Sequence, residues 1–262
     1  MRWVYKFLFA LSLLAGVSHA ASYGPYSRGC FTNGDSLPES GPGFFSIQRQ
    51  RDTFHGHPDT VNFVKSLGQK AEQEKLGVVR VGNIAQKNGG PLYEHSVSHQ
   101  SGLDVDIGYV FSKKKSGEVL VDVLKKDRSI NTKLFTKESE RLIQLTAQDK
   151  KVQRILVNPI IKKKMCETYP DQKWLRKLRP WWKHTDHMHV RLHCPKDSPE
   201  CVKQSPVPAG TGCSGDQFEW WFSQEAEDMR TGKIKKGSGS SSKKKKPKPY
   251  PAKCQEVLGL KP

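Results

Sequence analysis

From Leu103 to Val110 the chain alternates: Leu103, Val105, Ile107 and Tyr109 fall on one face, Asp104, Asp106 and Gly108 on the other. A period of two marks a half-buried strand. The segment from His187 to Leu192 alternates likewise, with Met188, Val190 and Leu192 set against His187, His189 and Arg191. Helical spacing takes over between Asp59 and Lys75, where Val61, Val64 and Leu67 recur and Gly77 ends the run. A second helix is expected from a Thr136 cap to about Lys150, with Leu142, Ile143 and Thr146 facing the core. Val78–Ile84 and Arg154–Val157 read as strands, the latter closed by Asn158-Pro159. Short helices are expected up to Cys166 and around Trp174 to Leu178, and residues 21–54, rich in Gly, Ser and Pro, read as an irregular arm. The pattern predicts an α+β fold: a small antiparallel sheet flanked by helices, with no internal repeats.

The polar faces of the two alternating strands carry the candidate chemistry. Side chains at i and i+2 on a strand point the same way, so His187 and His189 share a face, about 7 Å apart. If the strands are neighbours, Asp106 and His189 converge on one point, and His99 enters from the loop before Asp106; Gly102 in that loop permits a tight approach. Two imidazoles and one carboxylate are a catalytic zinc set, with an open position for water. His187 and His184 are spare imidazoles beside it. A His-x-His pair alone is more often polar decoration of a surface strand; the combination with His99 and Asp106 is what points to zinc. Asp104, on the same face as Asp106, is expected to orient a ligand from behind.

Compartment and charge refine the picture. Arg2 and Lys6, the apolar run Phe7–Val17 and Ser18-His19-Ala20 read as a secretory signal cleaved after Ala20. All six cysteines (Cys30, Cys166, Cys194, Cys201, Cys213 and Cys254) follow it, which suggests three disulfides out of fifteen possible pairings. No Cys-x-x-Cys pair supports a zinc finger. The compartment is periplasm or cell exterior. The formal charge is +18, and +16 without Arg2 and Lys6, which favours polyanionic partners such as wall polymers and anionic envelope surfaces. No aromatic-rich basic motif points to nucleic acid. Lys113–Lys115 and Lys162–Lys164 read as solvated faces, and Gly237–Ser242 running into Lys243–Pro249 reads as a basic tether. The expected organisation is a leader over 1–20, a domain carrying the zinc site over 21–231, and a basic linker with a disulfide-tied tail over 232–262.

Three stretches carry a family resemblance: Arg80-Val-Gly-Asn-Ile-Ala-Gln86, Ser98-His-Gln-Ser-Gly-Leu-Asp-Val-Asp-Ile107, and Trp181-Trp-Lys-His-Thr-Asp-His-Met-His-Val-Arg-Leu-His-Cys-Pro195. They resemble the zinc peptidases grouped with lysostaphin, D-alanyl-D-alanine peptidases and the hedgehog domain, and within that group the penicillin-insensitive murein endopeptidases. The resemblance implies a periplasmic enzyme that cuts D-alanyl to meso-diaminopimelyl cross-links of peptidoglycan. It implies His99, Asp106 and His189 as zinc ligands, His187 as general base, and His184 as the group that polarises or orients the reactants. Arg191 is expected to support the site or steady an oxyanion. The implied disulfides are Cys30–Cys254, Cys166–Cys213 and Cys194–Cys201. Relatives often carry a histidine three residues before the first ligand, where Ser96 stands here. His95 is then a possible extra ligand, better read as pocket wall. Trp181, Trp182, Trp220 and Trp221 read as core or pocket rim. A D,D-carboxypeptidase on the same fold and a zinc-containing wall-binding module without turnover remain open alternatives.

Overall fold

A computed structural model describes residues 19–92, 97–234 and 248–260. The leader to Ser18, His95 and most of the basic tether therefore lie outside the described residues. The strands in chain order are β1 (Ala21–Tyr23), β2 (Cys30–Thr32), β3 (Asp35–Ser36), β4 (Ser40–Gly41), β5 (Phe44–Ser46), β6 (His55–Gly56), β7 (Val79–Val81), β8 (Asp104–Gly108), β9 (Val152–Val157), β10 (Leu178–Pro180) and β11 (His187–Leu192). The helices are α1 (Pro58–Gln73), α2 (Lys137–Gln148), α3 (Pro159–Thr168), α4 (Asp216–Glu219), α5 (Gln224–Thr231) and α6 (Ala252–Leu258). The arm before α1 is thus more ordered than its composition suggests, holding six short strands. The helix expected around Trp174 is a 3-10 turn over Lys173–Lys177 that runs straight into β10.

Seven strands form the main sheet in the order β10-β9-β11-β8-β7-β5-β4. The centre is antiparallel, as alternation predicts: β11 pairs with β8 on one side and β9 on the other. Toward the flanks, β5–β7 and β9–β10 are parallel pairs. Their cause lies in the connections, because each pair is linked through a helix (α1 and α3) rather than a hairpin, and only a crossover can return a strand in the same direction. Pro58 and Pro159 each stand at the first position of those helices, behind His57 and Asn158, whose side chains accept from Asp59 N and Ile160 N.

The apolar face of the sheet, including Val105, Ile107, Met188 and Val190, joins Val61, Val64, Leu67, Leu142, Ile143 and Ile161 in one core. Each such side chain contributes roughly 1.5–3 kcal/mol through burial. The opposite face of β8 is buried too, against the half-buried reading. The segment before β8 and the N-terminal arm cover it: Ser22 Oγ donates to Ser101 O, and Gln100 N to Tyr26 O. A carboxylate can lie there only if it is paired, which bears directly on Asp104 and Asp106.

Lys162 is a correction to the solvated-face reading. It is fully buried on α3, where its ammonium donates to Leu175 O at 2.8 Å and Thr211 O at 2.9 Å. A three-lysine run on a helix spans most of a turn, so one of the three must face inward. Three disulfides close the molecule, in the pairing the resemblance implies: Cys30–Cys254, Cys166–Cys213 and Cys194–Cys201. No described helix is long and apolar enough to cross a membrane.

Candidate metal centre

The β8–β11 register builds the site. Asp106 stands directly opposite His189, Asp104 opposite Arg191, and Gly108 opposite His187. Facing residues on antiparallel strands lie about 5 Å apart, so the two alternations merge into one polar surface. His99 arrives from the preceding loop in the left-handed conformation, φ 68°, and its backbone N–H donates to Asp104 Oδ2 at 3.0 Å. Gly102 makes that loop possible: at φ 69°, a Cβ there would stand 2.6 Å from the Phe31 ring.

Ligand-capable atoms of His99, Asp106 and His189 all lie within 4.8 Å of one another, and all three residues are buried. Asp106 Oδ1 is 3.3 Å from His99 Nε2, 3.2 Å from His189 Nδ1 and 3.4 Å from His187 Nε2. Two of the three imidazoles, His99 and His187, are fixed from the far side by a hydrogen bond. His99 Nδ1 donates to Ile84 O at 2.7 Å, which leaves Nε2 as the inward lone pair. His189 turns Nδ1 toward Asp106 Oδ1 at 3.2 Å, while its buried Nε2, 3.3 Å from Asp104 Oδ1, makes no hydrogen bond. His187 Nδ1 donates to Asp186 Oδ1 at 2.6 Å, and its Nε2 points at Asp106 Oδ1. Far-side partners of this kind set the tautomer and aim of metal-binding histidines. Donor identity and the fixed tautomers together fit a zinc ion held by His99 Nε2, Asp106 and His189 Nδ1.

Asp104 and Arg191 lie behind the ligands. Arg191 Nε and Nη2 fork onto the two Asp104 oxygens at 2.6 and 3.0 Å, and the guanidinium sits 4.3 Å over the Tyr26 ring. Burial would raise the Asp104 pKa, but Arg191 and then His189 hold it well below the ordinary carboxylate range. Asp106 is likewise held far down against its burial, by His99 and His187. The Arg191 guanidinium is thus committed to Asp104.

His184 sits on a turn where both Lys183 (φ 61°) and His184 (φ 51°) are left-handed. Asn158 Nδ2 donates to Lys183 O, and Tyr109 Oη to His184 O, which hold the turn. The ring lies tilted against His187, centroids 5.1 Å apart, and edge-on to His189 at 6.0 Å, and its Nδ1 donates to Trp182 O at 2.9 Å. Burial pushes its pKa down to about 4, with His187 and His189 adding to the depression. The tryptophans form a rim and not a core: Trp181 is 55% exposed, and Trp182 contacts Trp221 and Trp220 with ring centroids 4.8 and 6.4 Å apart.

Three contributors escaped the sequence reading. Asp186 aims His187, Asn83 donates to Asp106 Oδ2 at 3.3 Å, and Thr53 donates to Asn83 Oδ1 at 2.8 Å. Asp186 lies inside the His184–His189 motif and was visible as the only acid there. Asn83 and Thr53 carry no periodic signal.

Comparison with known proteins agrees with this geometry. Residues 22–259 match the family model described as penicillin-insensitive murein endopeptidase. Curated proteins of that name include one from Haemophilus influenzae, 38% identical over 82% of this chain and 78% of its own length. Others are from Klebsiella pneumoniae, 38% identical over 78% of this chain and 77% of its own length, and from Yersinia pestis, 39% identical over 81% and 80%. With nearly the whole described chain inside the match, this protein belongs to the penicillin-insensitive murein endopeptidase family of peptidases.

Proposed function

We propose that the chain is a zinc-dependent, periplasmic murein DD-endopeptidase that hydrolyses the D-alanyl to meso-diaminopimelyl cross-links of peptidoglycan. The observation that carries this reading is the convergence of His99 Nε2, Asp106 Oδ1 and His189 Nδ1, with His187 Nε2 beside them, in a chain of this family. A zinc ion held there would supply Lewis acidity, polarising a carbonyl and lowering the pKa of a water molecule to about 7.

The remaining work falls to side chains. His187 accepts the proton of the attacking water at Nε2, because its Nδ1 proton is already given to Asp186. The resulting imidazolium is stabilised by Asp186 and Asp106, and the same Nε2 then returns the proton to the leaving amine of the diaminopimelyl residue. His184, with its Nδ1 proton on Trp182 O, presents Nε2 as an acceptor. That suits it to orient the water or a substrate N–H, and only its imidazolium could donate to an oxyanion. Asp104 and Arg191 keep His189 aimed. No acyl-enzyme forms on a serine, so a β-lactam has nothing to acylate.

The test is mass spectrometry of cross-linked, diaminopimelate-type muropeptide dimers incubated with the mature protein. Conversion to monomers, abolished by chelation and restored by zinc, is the expected result. Trimmed stems with intact cross-links would replace the reading with a D,D-carboxypeptidase, and bound zinc without cleavage would replace it with a wall-binding module.

A further inference from the structure

The C-terminal tail returns to the core at the place where His99 is presented. Cys254 on α6 is joined to Cys30 on β2. Cys30 bridges Gly89, and Phe31 N donates to Asn88 O. Gly89 in turn lies so close to the carbonyl of Gln100, the residue after His99, that a Cβ on it would stand 2.0 Å from that oxygen. Gly90 N donates to Gln100 O and to Gly29 O, and Leu258 of the tail packs on Gly90 from outside. A second arm of the tail reaches the same residue directly, since Tyr250 Oη donates to Gln100 Oε1 at 2.7 Å. Arg28 anchors that arm by donating to Lys248 O and lying 4.9 Å over the Tyr250 ring.

His99 needs this restraint. A non-glycine residue at φ 68° sits in a sparsely populated region and stays there only where its surroundings over-determine it. Its own bonds to Ile84 O and Asp104 fix the ring and the amide nitrogen. The peptide that follows is fixed at Gln100, whose backbone is held by Tyr26 O and Gly90 N and whose side chain is held by Tyr250 of the tail. We propose that residues 248–258 are a clamp that sets the metal affinity of the site, with Tyr250 and the Cys30–Cys254 link as positioning groups acting on His99 through Gln100. The inference rests on the zinc-site reading above. Its consequence is that metal retention depends on the tail being covalently closed: a chain that has lost this link keeps the ligands and loses their preorganisation.

The experiment measures zinc dissociation constants of the full-length mature protein by competition with a chromogenic chelator. In parallel, it records the thermal midpoint of chelated protein and turnover at saturating zinc. Tyr250→Phe keeps the ring over Arg28 and removes only the hydroxyl; its zinc Kd is expected to rise about fivefold. Cys30→Ser/Cys254→Ser is expected to raise Kd tenfold or more, with turnover recovering in excess zinc. Lys233→Ala, in an exposed pair with Asp228 outside the clamp, is expected to leave Kd unchanged. A wild type that binds no zinc would overturn the metal-site reading itself. Zinc binding by the wild type with an unchanged Kd in Tyr250→Phe would overturn the clamp, whether or not the double serine variant folds.

Discussion

Arg191→Met would leave the Asp104 carboxylate buried at 0% exposure with its forked partner gone. Methionine fills similar volume, so packing on Tyr26 is largely kept and the electrostatic effect is isolated. Removing one partner of a buried ion pair costs about 3–5 kcal/mol, because the surviving charge is uncompensated. At about 2–4 °C per kcal/mol for a chain of this size, the thermal midpoint of the chelated protein should fall by roughly 10 °C. Asp104 still accepts from His99 N and faces His189, and this places the loss toward the lower end of the range. The assay is urea and thermal unfolding with disulfides intact, run as a cycle with Asp104→Asn and the double variant. The double variant should recover much of the loss, since replacing both charges of a buried pair is often close to neutral. A cost below about 1 kcal/mol for Arg191→Met, or no recovery in the double variant, would refute the claim that the pair is held by mutual compensation in a dry site.

Two further predictions concern the reaction and the pH response. His187→Ala should retain zinc and lose about 10²–10⁴ in turnover, as expected for a general base, while Asp186→Asn keeps an acceptor for Nδ1 and loses only about tenfold; near wild-type turnover in His187→Ala would remove it from the mechanism. Lys162 is pushed down to about 7 by burial and then by Arg179. Between about pH 7 and 10.5 the unfolded chain holds a proton that the folded chain lacks, so stability from this group rises with pH across that window and is flat below it. Urea unfolding at pH 7 and 9.5 should show wild type gaining up to about 3 kcal/mol relative to Lys162→Met, and parallel pH profiles would contradict the assignment.

The reach of sequence reasoning follows from what each signal encodes. Alternation in Leu103–Val110 and His187–Leu192 reports which face of a strand is apolar, and that property is local, so both site strands and their shared polar face were legible. Helix starts at α1 and α2 were legible for the same reason, since caps and spacing act within one turn. The motifs carried the ligand candidates, and the disulfide pairing came only with the family resemblance.

What sequence alone could not supply is every property that depends on a neighbour far along the chain. Burial of the polar face of β8 depends on the arm that folds over it, and the burial of Lys162 depends on Leu175 and Thr211 offering their carbonyls. The parallel flanks follow from where α1 and α3 return the chain. Asp186, Asn83 and Thr53 acquire roles only once Asp106 and His187 are in place. By itself the sequence determined the two site strands, the starts of α1 and α2 and the candidate ligand set. Only the tertiary structure decided which nitrogen of His99 and of His187 faces inward, because a tautomer is set by the far-side partner, and Ile84 and Asp186 reach those nitrogens through the fold.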